Sequence, residues 1–191
     1  LSNDRVPYIA VNCVKSRDGD YYGEIITLKL GEGSIFDSKN IGNVLPVQSK
    51  CADDGTYDIL TDISVMVYNR NTGEISSYPF GRDTLKMYRS CGPYLVLAVN
   101  ENKIGNNSDI IVLNKACKEE YKVSIEGRLM DIEMDESRVY VLTMGTLHVF
   151  EIERKEYKNI AVSEDFKKVY LSATGQVVLL SEDRAIAVYV D

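Results

Sequence analysis

The sequence predicts an all-β fold of repeated hairpins, and three observations support this. Five short apolar segments recur along the chain, with first residues 40, 45, 37 and 39 positions apart. They are Ile25-Ile26-Thr27-Leu28, Val65-Met66-Val67-Tyr68, Ile110-Ile111-Val112-Leu113, Leu147-His148-Val149-Phe150 and Ile186-Ala187-Val188-Tyr189. Turn residues bound these segments, and no long stretch keeps the 3.6-residue apolar period of a helix. A period of about 40 residues is the length of one four-stranded propeller blade. We therefore predict a β-propeller or partial propeller of about five four-stranded antiparallel blades, forming one repetitive domain over residues 1–191.

The first unit contains two predicted strands, 6–14 and 22–30, joined by a short turn. Its central pair, Asp18-Gly19, is typical of a type I′ hairpin, because glycine accepts the positive φ that this turn requires. A glycine-rich loop at 31–34 then leads toward an outer strand.

The later units repeat this pattern of short strands separated by polar turns. The predicted strands are 57–61, 64–68 and 74–78 in the second unit; 85–89, 94–99, 109–113 and 120–125 in the third; 130–134, 139–143, 146–152 and 157–162 in the fourth; and 168–172, 176–180 and 185–190 in the fifth. The fifth unit thus has three predicted strands.

Each predicted sheet is too small to be stable alone, so we expect it to pack against its neighbours around an axis. Side chains alternate along a strand, which places one residue of each recurring segment on a common face. These residues are Ile25, Val65, Ile110, Leu147 and Ile186. Three arrangements stay open: a five-bladed ring closed by a strand near Val6, part of a larger ring, or a curved open array.

The third unit differs from the others in its nine-residue polar loop, 100–108, where a tight turn is expected. Insertions in one repeat often form the binding face. The predicted binding residues are Asn100, Glu101, Asn102, Asn106, Asn107 and Asp109. Their oxygen atoms, and those of Asp18 and Asp20, suit calcium, although ordinary turn chemistry also explains them. Calcium is therefore the one cofactor that the sequence leaves open.

Net charge and hydropathy exclude several kinds of partner. A formal net charge of −7 disfavours nucleic acid and anionic lipid, since phosphate binding depends largely on Lys and Arg. No apolar run approaches the roughly 18 residues that a membrane-spanning helix needs.

The four cysteines, Cys13, Cys51, Cys91 and Cys117, lack the paired spacing of a zinc site. Buried thiols are one interpretation, and a disulfide between Cys91 and Cys117 within one blade is the alternative.

Catalytic signals are weak. His148 is the single histidine, it lies in the middle of a predicted strand, and no nucleophile motif accompanies it. Acidic pairs such as Asp53-Asp54 lie at turns, where solvated carboxylates are common. The sequence therefore predicts no catalytic residue.

Two runs in the C-terminal half carry a resemblance to a known family. They are 138–150, with Arg138-Val139-Tyr140-Val141-Leu142, and 166–180, with Val177-Val178-Leu179-Leu180. Together with 95–99 and 109–114, they resemble the repeats of bacterial membrane-anchored proteins of unassigned function whose extracytoplasmic part is propeller-like. The resemblance covers roughly residues 85–191 and implies an upstream transmembrane helix and an extracytoplasmic, cell-surface location.

These observations favour a non-catalytic module that binds a protein, a peptide or a cell-wall glycan. The alternatives are a propeller enzyme, such as a lyase, a hydrolase or a quinoprotein relative, and a cytosolic scaffold similar to WD proteins. The chain has no tryptophan, so the tryptophan motifs of quinoprotein and WD propellers are missing.

Overall fold

We describe a computed structural model that covers residues 8–29, 31–52, 55–81, 84–100 and 106–190. The chain separates into two compact units, 1–82 and 83–191, which we describe in turn. The described residues form strands joined by turns and contain no helix. The single domain predicted over 1–191 and its three possible arrangements stay predictions.

The first unit contains two antiparallel sheets in which strands adjacent in sequence are also adjacent in space. Sheet 1 has the order β1 (Tyr8–Arg17), β2 (Asp20–Lys29), β3 (Ile35–Gly42). Sheet 2 has the order β4 (Pro46–Cys51), β5 (Thr56–Thr61), β6 (Ser64–Asn69), β7 (Glu74–Pro79). The hairpin between β1 and β2 has positive φ at both Asp18 and Gly19, which confirms the predicted type I′ turn.

The second unit contains three more meanders. Sheet 3 consists of β8 (Leu85–Cys91), β9 (Tyr94–Val99), β10 (Ser108–Asn114) and β11 (Glu119–Ile125). Sheet 4 consists of β12 (Leu129–Met134), β13 (Arg138–Thr143), β14 (Thr146–Glu151) and β15 (Glu156–Ala161). Sheet 5 has three strands, β16 (Lys168–Leu171), β17 (Val177–Leu180) and β18 (Ala185–Val188). The described residues thus confirm five antiparallel sheets, although sheets 1 and 5 have three strands instead of four.

The sheets succeed one another through their first strands. In the first unit β1 lies against β4, and in the second unit β12 lies against both β8 and β16. This succession within each unit is the one expected of propeller blades.

Alternation along central strands lets one sheet fill two cores. In β13, Val139 and Val141 join the core between sheets 3 and 4, which includes Phe150. Tyr140 and Leu142 point the other way and join the core between sheets 4 and 5, with Leu179. A strand buried on both faces is therefore apolar at nearly every position.

The sequence predicted that Ile186 lies on the same face of its sheet as Leu147 does, and this prediction is wrong. Leu147 lies one residue after Thr146, which is opposite Thr143 in the hairpin before β14. In the hairpin before β18, the main-chain N–H of Ser181 donates a hydrogen bond to the carbonyl of Arg184, so Arg184 occupies the position of Thr146. The next residue, Ala185, therefore occupies the position of Leu147. Because a shift of one residue reverses the face, Ile186 points toward sheet 4 together with its cross-strand partner Leu179.

Candidate binding groove

The predicted binding loop is only partly described. Glu101 and Asn102 lie outside the described residues, while Asn106 and Asn107 are exposed. Asn100 donates its main-chain N–H to the carbonyl of Thr84 at 2.8 Å. Asp109 pairs with Lys122 at 3.3 Å and accepts a hydrogen bond from Ser124. The carboxylate of Asp109 is therefore engaged by the neighbouring strand β11.

The calcium hypothesis gains no geometric support. Asp18 is almost fully exposed in its turn, where its carboxylate lies 3.7 Å from Arg17. Among the described residues, no group of three or more metal-ligating side chains comes together, so neither Asp18 nor Asp20 belongs to such a group. The positive φ of Asp18 accounts for its residue type.

The four cysteines are present as thiols in this structure, and the disulfide between Cys91 and Cys117 stays a prediction. Cys91 ends β8, whereas Cys117 lies in the turn between β10 and β11, and β9 separates β8 from β10. Two strand spacings amount to about 9.6 Å, beyond the Cα separation that a disulfide bridges.

Buried His148 is the centre of a polar cluster that the sequence did not reveal, and two of its partners, Tyr157 and Asn159, are exposed. Its Nε2 lies 2.9 Å from the hydroxyl of Thr143, and its Nδ1 lies 2.8 Å from Asn159 Oδ1. Tyr157 stacks on the ring, with its hydroxyl 2.9 Å from Nδ1. Burial lowers the pKa of His148, although the hydrogen bond to Asn159 opposes this shift.

This cluster has the order of a hydroxyl, an imidazole and an amide, as in a nucleophile with its base and orienting group. Thr143 and His148 are only 2% and 6% exposed, and neither lines a cavity described below. A substrate therefore has no described path to the hydroxyl, and the cluster is best explained as satisfied polar packing.

An apolar groove of about 550 Å³ lies beside β18. One wall is formed by Ile160 and Val162, at the end of β15, and the other by Ile186 and Val188. Phe166 also lines the groove and belongs to the core that joins sheets 4 and 5. The groove is therefore an open continuation of that core.

Arg184 is the one charged residue that lines this groove in the described part of the chain. Its Nη2 lies 2.9 Å from both carboxylate oxygens of Asp165, and its guanidinium lies over the Phe166 ring at 5.1 Å. Hydrogen bonds from Ser163 and Arg184 hold the pKa of Asp165 below its usual range. These contacts fix the segment that connects sheets 4 and 5.

The open edge of β18 borders the same groove. Within the described ranges β18 pairs with β17 alone, whereas β6, β10 and β14 each have strands on both sides. Hydrogen-bonded and non-hydrogen-bonded residue pairs alternate along two antiparallel strands. Because Ser181 and Arg184 form a hydrogen-bonded pair, Leu179 and Ile186 form the next one, and the main-chain groups of Ile186 point to β17. The main-chain groups of Ala185 and Ala187 consequently point outward. An unpaired strand edge of this kind is a ready template for another strand.

A second cavity, of about 210 Å³, lies between Arg138, Gln176 and Tyr189. In the described part of the chain, neither cavity is lined by a carboxylate, a thiol or an imidazole. Tyr189 lines both cavities, and Tyr140 lines the second one. The described ranges also include no helix long and apolar enough to cross a membrane.

No protein-family model matches this chain, and no curated protein matches it in sequence. Solved β-propeller structures match its fold. Hsv2 from Kluyveromyces lactis has a TM-score of 0.60 and 10% identity, over 91% of this chain and 58% of that one. BBS1N in complex with ARL6DN has a TM-score of 0.58 and 10% identity, over 95% and 64%. The N-terminal domain of Nup159 has a TM-score of 0.54 and 11% identity, over 93% and 54%.

These likenesses establish the fold alone, which is that of a β-propeller or a part of one. The chain spans between one half and two thirds of the length of these solved structures.

Proposed function

We propose that this chain is a non-catalytic, protein-binding propeller module. The observation that carries the proposal is the apolar groove of about 550 Å³ beside β18, which continues the core between sheets 4 and 5. Aliphatic walls suit the apolar side chains of a polypeptide better than the polar surface of a cell-wall glycan. BBS1N, a propeller of similar fold, was solved with the protein ARL6DN.

The parent and the location are a further part of this proposal. Display outside the cell by a membrane-anchored bacterial protein is supported by the family resemblance of residues 85–191. Protease treatment of intact cells is the test: the chain is digested without lysis if it is displayed, and it stays intact until lysis if it is cytosolic.

Site-specific photo-cross-linking tests the binding function. A benzoylphenylalanine placed at Tyr189, which is 83% exposed beside the groove, is compared with the same group at Tyr21, which is 65% exposed on sheet 1. In cells that produce the chain, we expect one defined protein adduct at position 189 and none at position 21. Equal cross-linking at both positions, or none at position 189, contradicts the proposal.

A further inference from the structure

We propose that acid releases β15 from sheet 4, because a proton binds the imidazole of His148 more readily once β15 has separated from β14. The proposal concerns sheet 4 and does not depend on binding at the groove. Three features support it: the contacts between β15 and His148, the uncharged surroundings of the ring, and the outer position of β15 in its sheet.

Two side chains of β15 on the same face as His148 contact its ring. Asn159 is directly opposite His148 in the strand pairing, and its Oδ1 lies 2.8 Å from Nδ1. Tyr157 stacks on the ring with an interplanar angle of 8°, and its hydroxyl lies 2.9 Å from the same nitrogen. Separation of β15 from β14 therefore uncovers Nδ1.

The hydrogen bonds of the closed cluster suit a neutral imidazole. The amide oxygen of Asn159 can only accept, so Nδ1 carries the hydrogen and donates to it. The hydroxyl of Thr143, 2.9 Å from Nε2, then donates to that nitrogen. A second proton, at Nε2, requires this hydroxyl to turn toward the carbonyl of Thr146 at 3.3 Å. Protonation of the closed cluster also buries a positive charge.

The surroundings of the ring supply no opposite charge in the described ranges. The charged residues of β13, β14 and β15 all share the other face of sheet 4. They are Arg138, Glu151, Glu156 and Lys158. On sheet 3, β11 turns Tyr121 toward Phe150, while its Lys122 pairs with Asp109.

The connection between sheets 3 and 4 adds no buried charge near the ring. Its Gly127 lies beside Thr143, and the flanking Glu126 and Arg128 are exposed. Burial therefore lowers the pKa of His148, and the hydrogen bond to Asn159 is the opposing influence. A proton is bound more strongly when the imidazole is exposed than when it is covered.

The outer position of β15 lets this strand open alone. In the described ranges it pairs with β14 alone, as the last strand of sheet 4. Residues 156–159 are exposed, and Ile160 is half-buried. A strand with few buried apolar contacts opens at a lower free energy than the whole fold does. Its opening also takes Ile160 and Val162 from the wall of the groove.

Hydrogen exchange of main-chain amides measures this opening. Val162 donates its N–H to the carbonyl of Gly145 at 3.0 Å, so alternation along β15 also directs the N–H groups of Lys158 and Ile160 to β14. With a pKa of about 6.5 for the exposed imidazole, proton binding raises the open population up to about eightfold between about pH 7 and about pH 5.5. The protection factor, which corrects for the intrinsic effect of pH on exchange, is expected to fall by the same factor at these amides.

Val112, which is fully buried in sheet 3, is the reference for global unfolding. We expect the β15 amides to be less protected than Val112 and, unlike it, insensitive to low concentrations of urea, as a local opening is. Amides of β15 that match Val112 in protection and in urea dependence overturn the proposal. A protection factor that is unchanged at the lower pH also overturns it.

Two variants assign the effect to His148. His148→Gln removes the titrating ring, so the protection of β15 is expected to change by less than about twofold between the two pH values. Asn159→Asp places a carboxylate where Oδ1 lies 2.8 Å from Nδ1, which favours the imidazolium, so the protection is expected not to fall. A fall as large as that of the parent, in either variant, overturns the proposal.

Discussion

Asp131 Oδ2 accepts a hydrogen bond of 3.2 Å from the main-chain N–H of Val169 and so joins the first strand of sheet 4 to that of sheet 5. Its other oxygen lies 3.3 Å from Arg89 on β8 and 3.7 Å from Lys168. One carboxylate, 2% exposed, thus contacts the first strands of three consecutive sheets.

Asp131→Ala is expected to lower the free energy of unfolding by about 2–3 kcal/mol, because the buried N–H of Val169 loses its acceptor and two cations lose their partner. Urea denaturation measures the change. Glu133→Ala is the matched control on the same strand: its carboxylate is more exposed and lies 3.8 Å from Arg89, so we expect a loss of about 0–1 kcal/mol. Equal losses for both variants contradict a special role for Asp131.

The recurring apolar segments predicted the five hairpin sheets. They could do so because a strand that is buried on both faces of its sheet, as β13 is, must be apolar. They did not predict β4, whose residues Val47, Gln48 and Lys50 are exposed, so that the strand lacks an apolar pattern. They also placed Ile186 on the wrong face, because a segment of alternating apolar residues reads equally well when shifted by one. The hairpin hydrogen bond at Ser181, not the apolar pattern, sets that register.

His148 gives the fold a predicted pH dependence. Burial lowers its pKa in the folded state, while an unfolded histidine titrates near pH 6.5. Below that value the unfolded chain binds a proton that the folded chain resists, so stability present at neutral pH is lost as the pH falls toward the lowered pKa. Urea midpoints at about pH 7 and about pH 5.5 measure this loss.

His148→Gln is the control, because it removes the only histidine and keeps a polar side chain. The variant is expected to be less stable at neutral pH and to lose less stability than the parent on acidification over that interval. A decline as steep as that of the parent would show that other groups cause it.

Gly23 is required by close packing in the first unit. A Cβ at this position lies 2.6 Å from the carbonyl oxygen of Val44 and 2.9 Å from the ring of Pro46. Gly23→Ala is therefore expected to cost about 1–3 kcal/mol in thermal or urea unfolding, since the obstructing oxygen is main chain. Gly175→Asn is the comparison, because Gly175 has open space and a positive φ that Asn tolerates, and a smaller loss is expected.

The candidate groove was only partly predictable. The sequence does predict the three strands of the fifth unit, including β18, which borders the groove. The groove itself depends on where Arg184 holds Asp165 and Phe166 in the segment connecting sheets 4 and 5, and no local pattern encodes that cation–ring contact. The Asn-rich loop had the stronger sequence signal, yet the described part of it shows Asp109 engaged with Lys122 in ordinary cross-strand pairing.

The last prediction concerns the thiols. Four thiols per chain are expected to react with a thiol reagent in denaturant without added reductant, because Cys91 and Cys117 lie two strands apart. In the folded chain Cys117, which is 7% exposed, is expected to react more slowly than Cys13, because the reagent must reach the sulfur. Cys117→Ser is the control that assigns the slow phase. Only two reactive thiols in denaturant, rising to four after reduction, would show that a disulfide forms and that this part of sheet 3 is arranged differently.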